Sequence, residues 1–82
     1  MPSSFNLPEH DVLRDLLKKA RIKAGLSQRE LSVKLGESYN FMNKVESGVR
    51  GIDFVGVIRL LKITGTDRET FFRELLQRID RL

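Results

Sequence analysis

Four residues within a span of six, Tyr39, Asn40, Asn43 and Lys44, carry side chains suited to recognition rather than reaction. An asparagine amide presents a donor and an acceptor side by side, and a lysine ammonium offers three donors and no acceptor. Such groups read a partner's hydrogen-bonding pattern. Catalytic apparatus is sparse by comparison. The 82 residues include one histidine, His10, no cysteine, and no glycine-rich loop of the kind that cradles phosphates. Without thiols there is no disulfide framework and no thiolate metal site. His10 has no companion ligand and reads as an ordinary surface residue. No metal, no cofactor and no catalytic residue is expected, and an enzyme is the weakest of the function classes.

To present the four residues, the chain builds two short helical patterns on either side of Gly36. Ser27 can cap the first, with Glu30 three residues on to complete a capping box. Its apolar residues Leu31 and Leu35 are four apart and share one face. Gly36 falls where the helix ends and the chain needs a positive φ, which glycine reaches without a Cβ penalty. Ser38 can cap the second helix, with Met42 and Val45 turned inward, and Gly48 closes it. Two helices joined by so tight a turn cross steeply, as a helix-turn-helix over residues 27–47. Asn40, Asn43 and Lys44 then lie on the outer face. Phe41 falls beside that face. It can press on a bound partner, sit in a contact between chains, or wrap towards the first helix, the last being preferred.

Gln28, Leu31, the small Ser32, Leu35, Gly36, Met42, Val45 and Glu46-Ser47-Gly48, preceded by Arg21-Ile22-Lys23-Ala24-Gly25-Leu26-Ser27, resemble the helix-turn-helix of the Cro/C1 (XRE) family of bacterial and phage regulators. Ser32 stands where that family usually has alanine, and Phe41 where it is often polar. The resemblance, over about residues 12 to 72, implies an all-α fold: a compact five-helix, lambda-repressor-like DNA-binding domain with the helix-turn-helix at its centre. The second helix of the motif would enter the major groove, its N-terminal residues at the base edges. Tyr39, Asn40, Asn43 and Lys44 are the candidate base contacts. Asparagine pairs two ways with adenine and lysine donates to guanine O6 and N7, each good pair worth roughly 1–3 kcal/mol of discrimination. Gln28, in the first turn of its helix, can reach a phosphate. The resemblance supports that role and implies the same for Ser38 and Ser47, while charge and position add Arg29 and Arg50. For Arg21 and Glu46 it implies a partly buried ion pair that ties helices together and reads nothing.

Upstream, residues 1–7 read as a flexible N-terminal arm and residues 8–82 as a single domain. Phe5 and Leu7 either stay free or fold back onto the core. Pro8 suits the first turn of a helix running to about Ala24, with Glu9 and Asp11 at its positive end. Lys18, Lys19, Arg21 and Lys23 gather at the other end, where Gly25 stops it. Leu13, Leu16, Leu17, Ala20 and Ala24 mark its buried face. Downstream, Asp53 caps a fourth helix so apolar (Phe54, Val55, Val57, Ile58, Leu61 and, less clearly, Leu60) that it reads as the central packing element. Gly56 inside it costs about 1 kcal/mol against alanine and implies a close helix approach. Gly65 ends that helix, and Thr66 with Glu69 forms a second capping box, opening a last helix over residues 67–82. Its stripe of Phe72, Leu75, Leu76, Ile79 and Leu82, with Phe71 beside it, is longer than five small helices need. Phe72, Leu76, Ile79 and Leu82 are therefore candidates for a dimer contact. Alternatively, the far end covers the first helix of the same chain.

Eighty-two residues allow one domain with a modest core. The net charge of +4 comes from 15 basic and 11 acidic side chains, and its distribution says more than its size. Residues 14–50 hold nine basic against four acidic side chains, whereas residues 51–82 hold six against five and residues 1–13 only Glu9 and Asp11. Positive charge thus collects around the helix-turn-helix, as expected of a surface that meets phosphates. No apolar run approaches the roughly 20 residues that span a bilayer, and the N-terminus lacks the pattern of a signal peptide. The expected setting is the cytoplasm of a bacterium or of a cell carrying a phage, at the nucleoid through DNA. The leading function is a sequence-specific regulator that binds double-stranded DNA as a homodimer on a palindromic operator, with no membrane partner. The alternative is an antitoxin or other protein-interaction module that also binds DNA.

Overall fold

The computed structural model describes residues 7–82, so residues 1–6 of the arm expected at 1–7, including Phe5, lie outside the described residues. Five helices follow one another: α1 (Pro8–Lys23), α2 (Gln28–Lys34), α3 (Phe41–Glu46), α4 (Phe54–Thr64) and α5 (Arg68–Asp80). None of them is long and apolar enough to cross a membrane.

Local chemistry sets most of the boundaries. Pro8 opens α1, where its missing N–H is no loss, and Glu9 and Asp11 occupy the first turn. The capping box of α2 is complete: the Glu30 N–H donates to Ser27 Oγ at 3.0 Å and the Ser27 N–H to Glu30 Oε1 at 2.9 Å. Gly36 and Gly48 hold φ at 76° and 80°. This left-handed turn lets the Glu37 N–H reach the Ser32 carbonyl and the Val49 N–H reach the Lys44 carbonyl, satisfying the orphan ends of α2 and α3. Asp53 caps α4 by accepting from the Gly56 N–H at 2.7 Å.

Two expected caps are displaced. The last helix is capped by Asp67, which accepts from the Thr70 N–H at 2.9 Å, and the expected Thr66–Glu69 box does not form. A carboxylate also accepts from the Thr70 hydroxyl, and these bonds hold the Asp67 carboxyl below its ordinary range. Thr66 pairs with the Thr64 hydroxyl instead, at 2.7 Å. Similarly, Ser38 does not cap α3. Residues 38–40 form a turn closed by the Phe41 N–H on the Ser38 carbonyl, so Asn40 becomes the N-cap and its side chain makes no cap bond.

The core draws on every helix: Leu16 and Leu17 from α1, Leu31 from α2, Phe41, Met42 and Val45 from α3, Leu60 and Leu61 from α4, and Phe71 from α5. Each such side chain taken out of water contributes roughly 1.5–3 kcal/mol before entropy is counted. The centre is α1, which packs against α3, α4 and α5, and not α4 as its composition suggests. In α4, Val57, Leu60 and Leu61 are buried, but Phe54 and Val55 in its first turn are 69% and 65% exposed. The crowding at Gly56 is local. A Cβ there would meet Ile52 Cγ1 at 2.8 Å and Asp53 Oδ1 at 3.1 Å, so the close approach is that of the helix's own capping segment. On α1 the buried stripe is Val12, Leu16, Leu17 and Ala20; Leu13 is only half-buried and Ala24, beyond the last turn, is exposed. His10 is half-buried rather than a plain surface residue.

Candidate nucleic-acid interface

A six-residue helix has no stability of its own, so α3 must be held by its neighbours. From α1, the Arg21 guanidinium donates through Nε and Nη2 to both Glu46 oxygens, at 2.8 and 3.0 Å, and through Nη1 to the Leu26 carbonyl at 2.9 Å. The two side chains are only 11% and 5% exposed, a deeper burial than the partly buried pair that the resemblance implies. From α2, Ser32 accepts the Met42 N–H at 2.9 Å while donating its own proton to the Gln28 carbonyl at 2.7 Å. Met42 is the second residue of α3, where an N-cap side chain would normally bond. A wholly buried hydroxyl from the preceding helix therefore does the work expected of Ser38.

On the outer side of α3, Asn43, Lys44 and Ser47 are exposed, and Tyr39 projects from the turn at 62% exposure. Asn40 is half-buried, and its Oδ1 accepts from the Ser38 hydroxyl at 2.9 Å. The Ser47 hydroxyl donates to the Lys44 carbonyl at 3.2 Å. Gln28 is bound up within the protein: its Nε2 donates to Glu46 Oε1 at 3.1 Å and its Oε1 accepts from Asn43 Nδ2 at 3.2 Å. A continuous chain of hydrogen bonds thus links Arg21, Glu46, Gln28 and Asn43. Flanking α3, the Arg29 guanidinium lies 5.3 Å from the centre of the Tyr39 ring and that of Arg50 lies 4.6 Å from the centre of the Phe41 ring. Phe41 itself is buried in the core, the inward of the placements open to it.

Tyr39, Asn43, Lys44, Ser38, Ser47 and Arg50 therefore lie along α3 and its turns, and Arg29 reaches Tyr39 from the first turn of α2. Three features escaped sequence reasoning. The Ser32 bridge had one signal, a serine four residues after Gln28 where a small residue suffices, the spacing at which hydroxyls bond back to a carbonyl. The two arginine–ring pairs had none, being contacts between segments. Away from α3 in sequence, Phe54 joins the stripe of α5, its ring centre 5.9 Å from that of Phe72, and Leu76, one turn further along α5, is exposed.

A braced second helix with polar side chains outward, set after a short first helix and a glycine turn, defines a helix-turn-helix DNA-binding domain. The pattern of the helix-turn-helix family matches residues 17–71, more than half of the chain. The chain belongs to that family, in its Cro/C1 (XRE) type, a family of DNA-binding transcriptional regulators. No curated protein matches it closely enough to be counted a relative. Among solved structures it resembles the wild-type restriction-modification controller protein C.Esp1396I, with a TM-score of 0.79 and 19% identity over 90% of this chain and 97% of that one. A tyrosine-to-phenylalanine mutant of the same controller gives 0.73 and 23%, over 96% and 95%. These are likenesses of fold.

Proposed function

We propose that this chain is a sequence-specific regulator that lays α3 in the major groove of double-stranded DNA and acts as a homodimer on a palindromic operator. The observation that carries the reading is the sidedness of α3: Phe41, Met42 and Val45 are buried, while Asn43 and Lys44 stand outward. Asn43 and Lys44 are the principal base contacts, with Tyr39 and Asn40 at the entry to the helix. Asn43 comes with its amide oriented, because its Nδ2 bond to Gln28 turns its own Oδ1 outward as an acceptor. Arg29, Ser38, Ser47 and Arg50 meet phosphates, which set register and carry no sequence information. Gln28 joins them through its backbone N–H in the first turn of α2, while its side chain braces the base-reading Asn43. The dimer forms through Phe72, Leu76, Ile79 and Leu82 with Phe54 beside them, supported by the 59% and 65% exposure of Leu76 and Leu82. Half-sites then lie about one helical turn (~34 Å) apart.

The test is selection from a random duplex pool, followed by binding measurements on the enriched sequence. The selected site should exceed random duplex by at least ~10³ at physiological salt, and Asn43→Ala or Lys44→Ala should erase most of that ratio. If no sequence outcompetes random DNA, the reading is wrong. Sedimentation of Leu76→Glu separates the dimer from the base contacts: it should yield a monomer.

A further inference from the structure

The chain after α3 turns back along it. Beyond Gly48, the N–H groups of Val49 and Arg50 both point at the Lys44 carbonyl, at 2.9 and 3.3 Å. This anchors the backbone of Arg50 to the recognition helix and lays its guanidinium over Phe41, 4.6 Å from the ring centre. Phe41 is 4% exposed, so the ring is fixed in the core and Arg50 is part of its cover. Arg50 Nε donates to the Gly51 carbonyl at 3.3 Å. Its two terminal nitrogens make no hydrogen bond among the described residues. They border a shallow groove lined by Lys44, Val49, Gly51, Ile52 and Asp53, whose one carboxylate is engaged in capping α4. A guanidinium seated over a ring, with no hydrogen bond on its terminal nitrogens, keeps those N–H groups available for a phosphate.

We propose that Phe41 is a positioning residue: it holds the Arg50 guanidinium ready for a DNA backbone phosphate beside the recognition helix. The proposal rests on the reading of α3 as the DNA-facing helix and deepens it. A free arginine loses rotamer freedom on meeting a phosphate, and one already laid on a ring loses less. The Arg29–Tyr39 pair is a looser version of the same contact, because Tyr39 is itself exposed and no core fixes its ring.

The experiment is a double-mutant cycle of Phe41→Leu and Arg50→Ala, read as affinity for the selected duplex and for random duplex across a salt series. Phe41→Leu should weaken both DNAs alike, by about three- to tenfold, the range set by ordering one long side chain, and leave base preference unchanged. Arg50→Ala should lower the salt slope by about 0.9, the loss of one phosphate contact. In its background Phe41→Leu should cost nothing further. The inference is overturned if Phe41→Leu costs the same with and without Arg50, or if it shifts base preference. Arg50→Lys leaves the core intact and keeps the charge but not the flat face. It should show the same three- to tenfold loss with the slope retained, and unchanged affinity would overturn the proposal even if Phe41→Leu fails to fold. In the free protein the Arg50 Nε–H resonance should carry a ring-current shift that Phe41→Leu abolishes. Failure of the unaltered protein to bind any DNA overturns both readings, whereas additive losses with binding intact overturn this one alone.

Discussion

Replacing Arg21 with methionine removes the brace of α3 while keeping the aliphatic stem. Arg21 makes three hydrogen bonds, two of them to Glu46, whose side chain is only 5% exposed. After Arg21→Met the Glu46 carboxylate keeps one partner, the Gln28 amide, and the Leu26 carbonyl loses its side-chain donor. Breaking a buried pair from one side costs about 3–5 kcal/mol, because the remaining charge is stranded away from water. A domain of this length has roughly 4–12 kcal/mol in total, so the loss should be a quarter of its stability or more. The assay is urea denaturation followed by circular dichroism. With a slope near 1 kcal/mol per molar, the midpoint should fall by about 3–5 M. The decisive comparison is the double replacement Arg21→Met with Glu46→Leu. If the cost is mainly the stranded carboxylate, removing it should restore a large part of the loss, as apolar replacements of buried pairs do elsewhere. A single variant within 0.5 kcal/mol of the parent, or a double variant no more stable than the single, would refute the reasoning.

Three further outcomes follow from the same geometry. Ser32→Ala should destabilise by about 1–3 kcal/mol, since it leaves the buried Met42 N–H without an acceptor; equal stability in thermal unfolding would show that α3 does not depend on the borrowed cap. Gly36→Ala and Gly48→Ala share the strain of a positive φ, about 1–2 kcal/mol, but only at Gly48 would the new Cβ also meet a side chain, Arg14 Cζ at 3.2 Å. Gly48→Ala should therefore be the worse of the two by melting temperature. In acid, Asp15 gives a signature of its own: hydrogen bonds from Arg78 and then Lys19 hold its carboxyl below the ordinary range. A depressed carboxyl contributes stability above its unfolded pKa of about 3.9 and loses it as pH falls through the lower folded value. The parent should thus lose more stability than Asp15→Asn between about pH 5 and 2.5. Because Asp15 is partly exposed, the difference should stay within about 1 kcal/mol.

Features legible in the sequence were those whose cause lies within a few residues. Ser27 with Glu30, Asp53 before an apolar run, and glycines at helix ends act through their immediate neighbours, and each sits where its chemistry places it. The Arg21–Glu46 pair spans 25 positions and came through resemblance, not through any local rule. Where the cause is tertiary, local reading erred. Ser38 has the right residue type for a cap, yet the bond at Met42 comes from Ser32, ten residues back, because only the packing of α2 on α3 brings that hydroxyl there. The apolarity of α4 likewise reports how much it buries but not against what, and its first turn was left facing solvent.

The same distinction bears on how the interface can be dissected. Asn43 is tied through Gln28 to Glu46 and hence to Arg21, so a substitution at Gln28 or Glu46 disturbs folding and recognition together. Lys44 has no such tie: its side chain is exposed and its backbone alone serves the turn that follows. Loss of the specificity ratio at Lys44 with unchanged unfolding is therefore the clean signature of base reading. Coupled losses at Gln28 instead measure how far a helix of six residues borrows its rigidity from the helix before it. Gln28→Ala should lower both the melting temperature and the specificity ratio, and Lys44→Ala only the second. If Gln28→Ala lowered neither, the link from Glu46 to Asn43 would be incidental, and α3 would be held by its core side chains, the Ser32 bond and the Arg21–Glu46 pair.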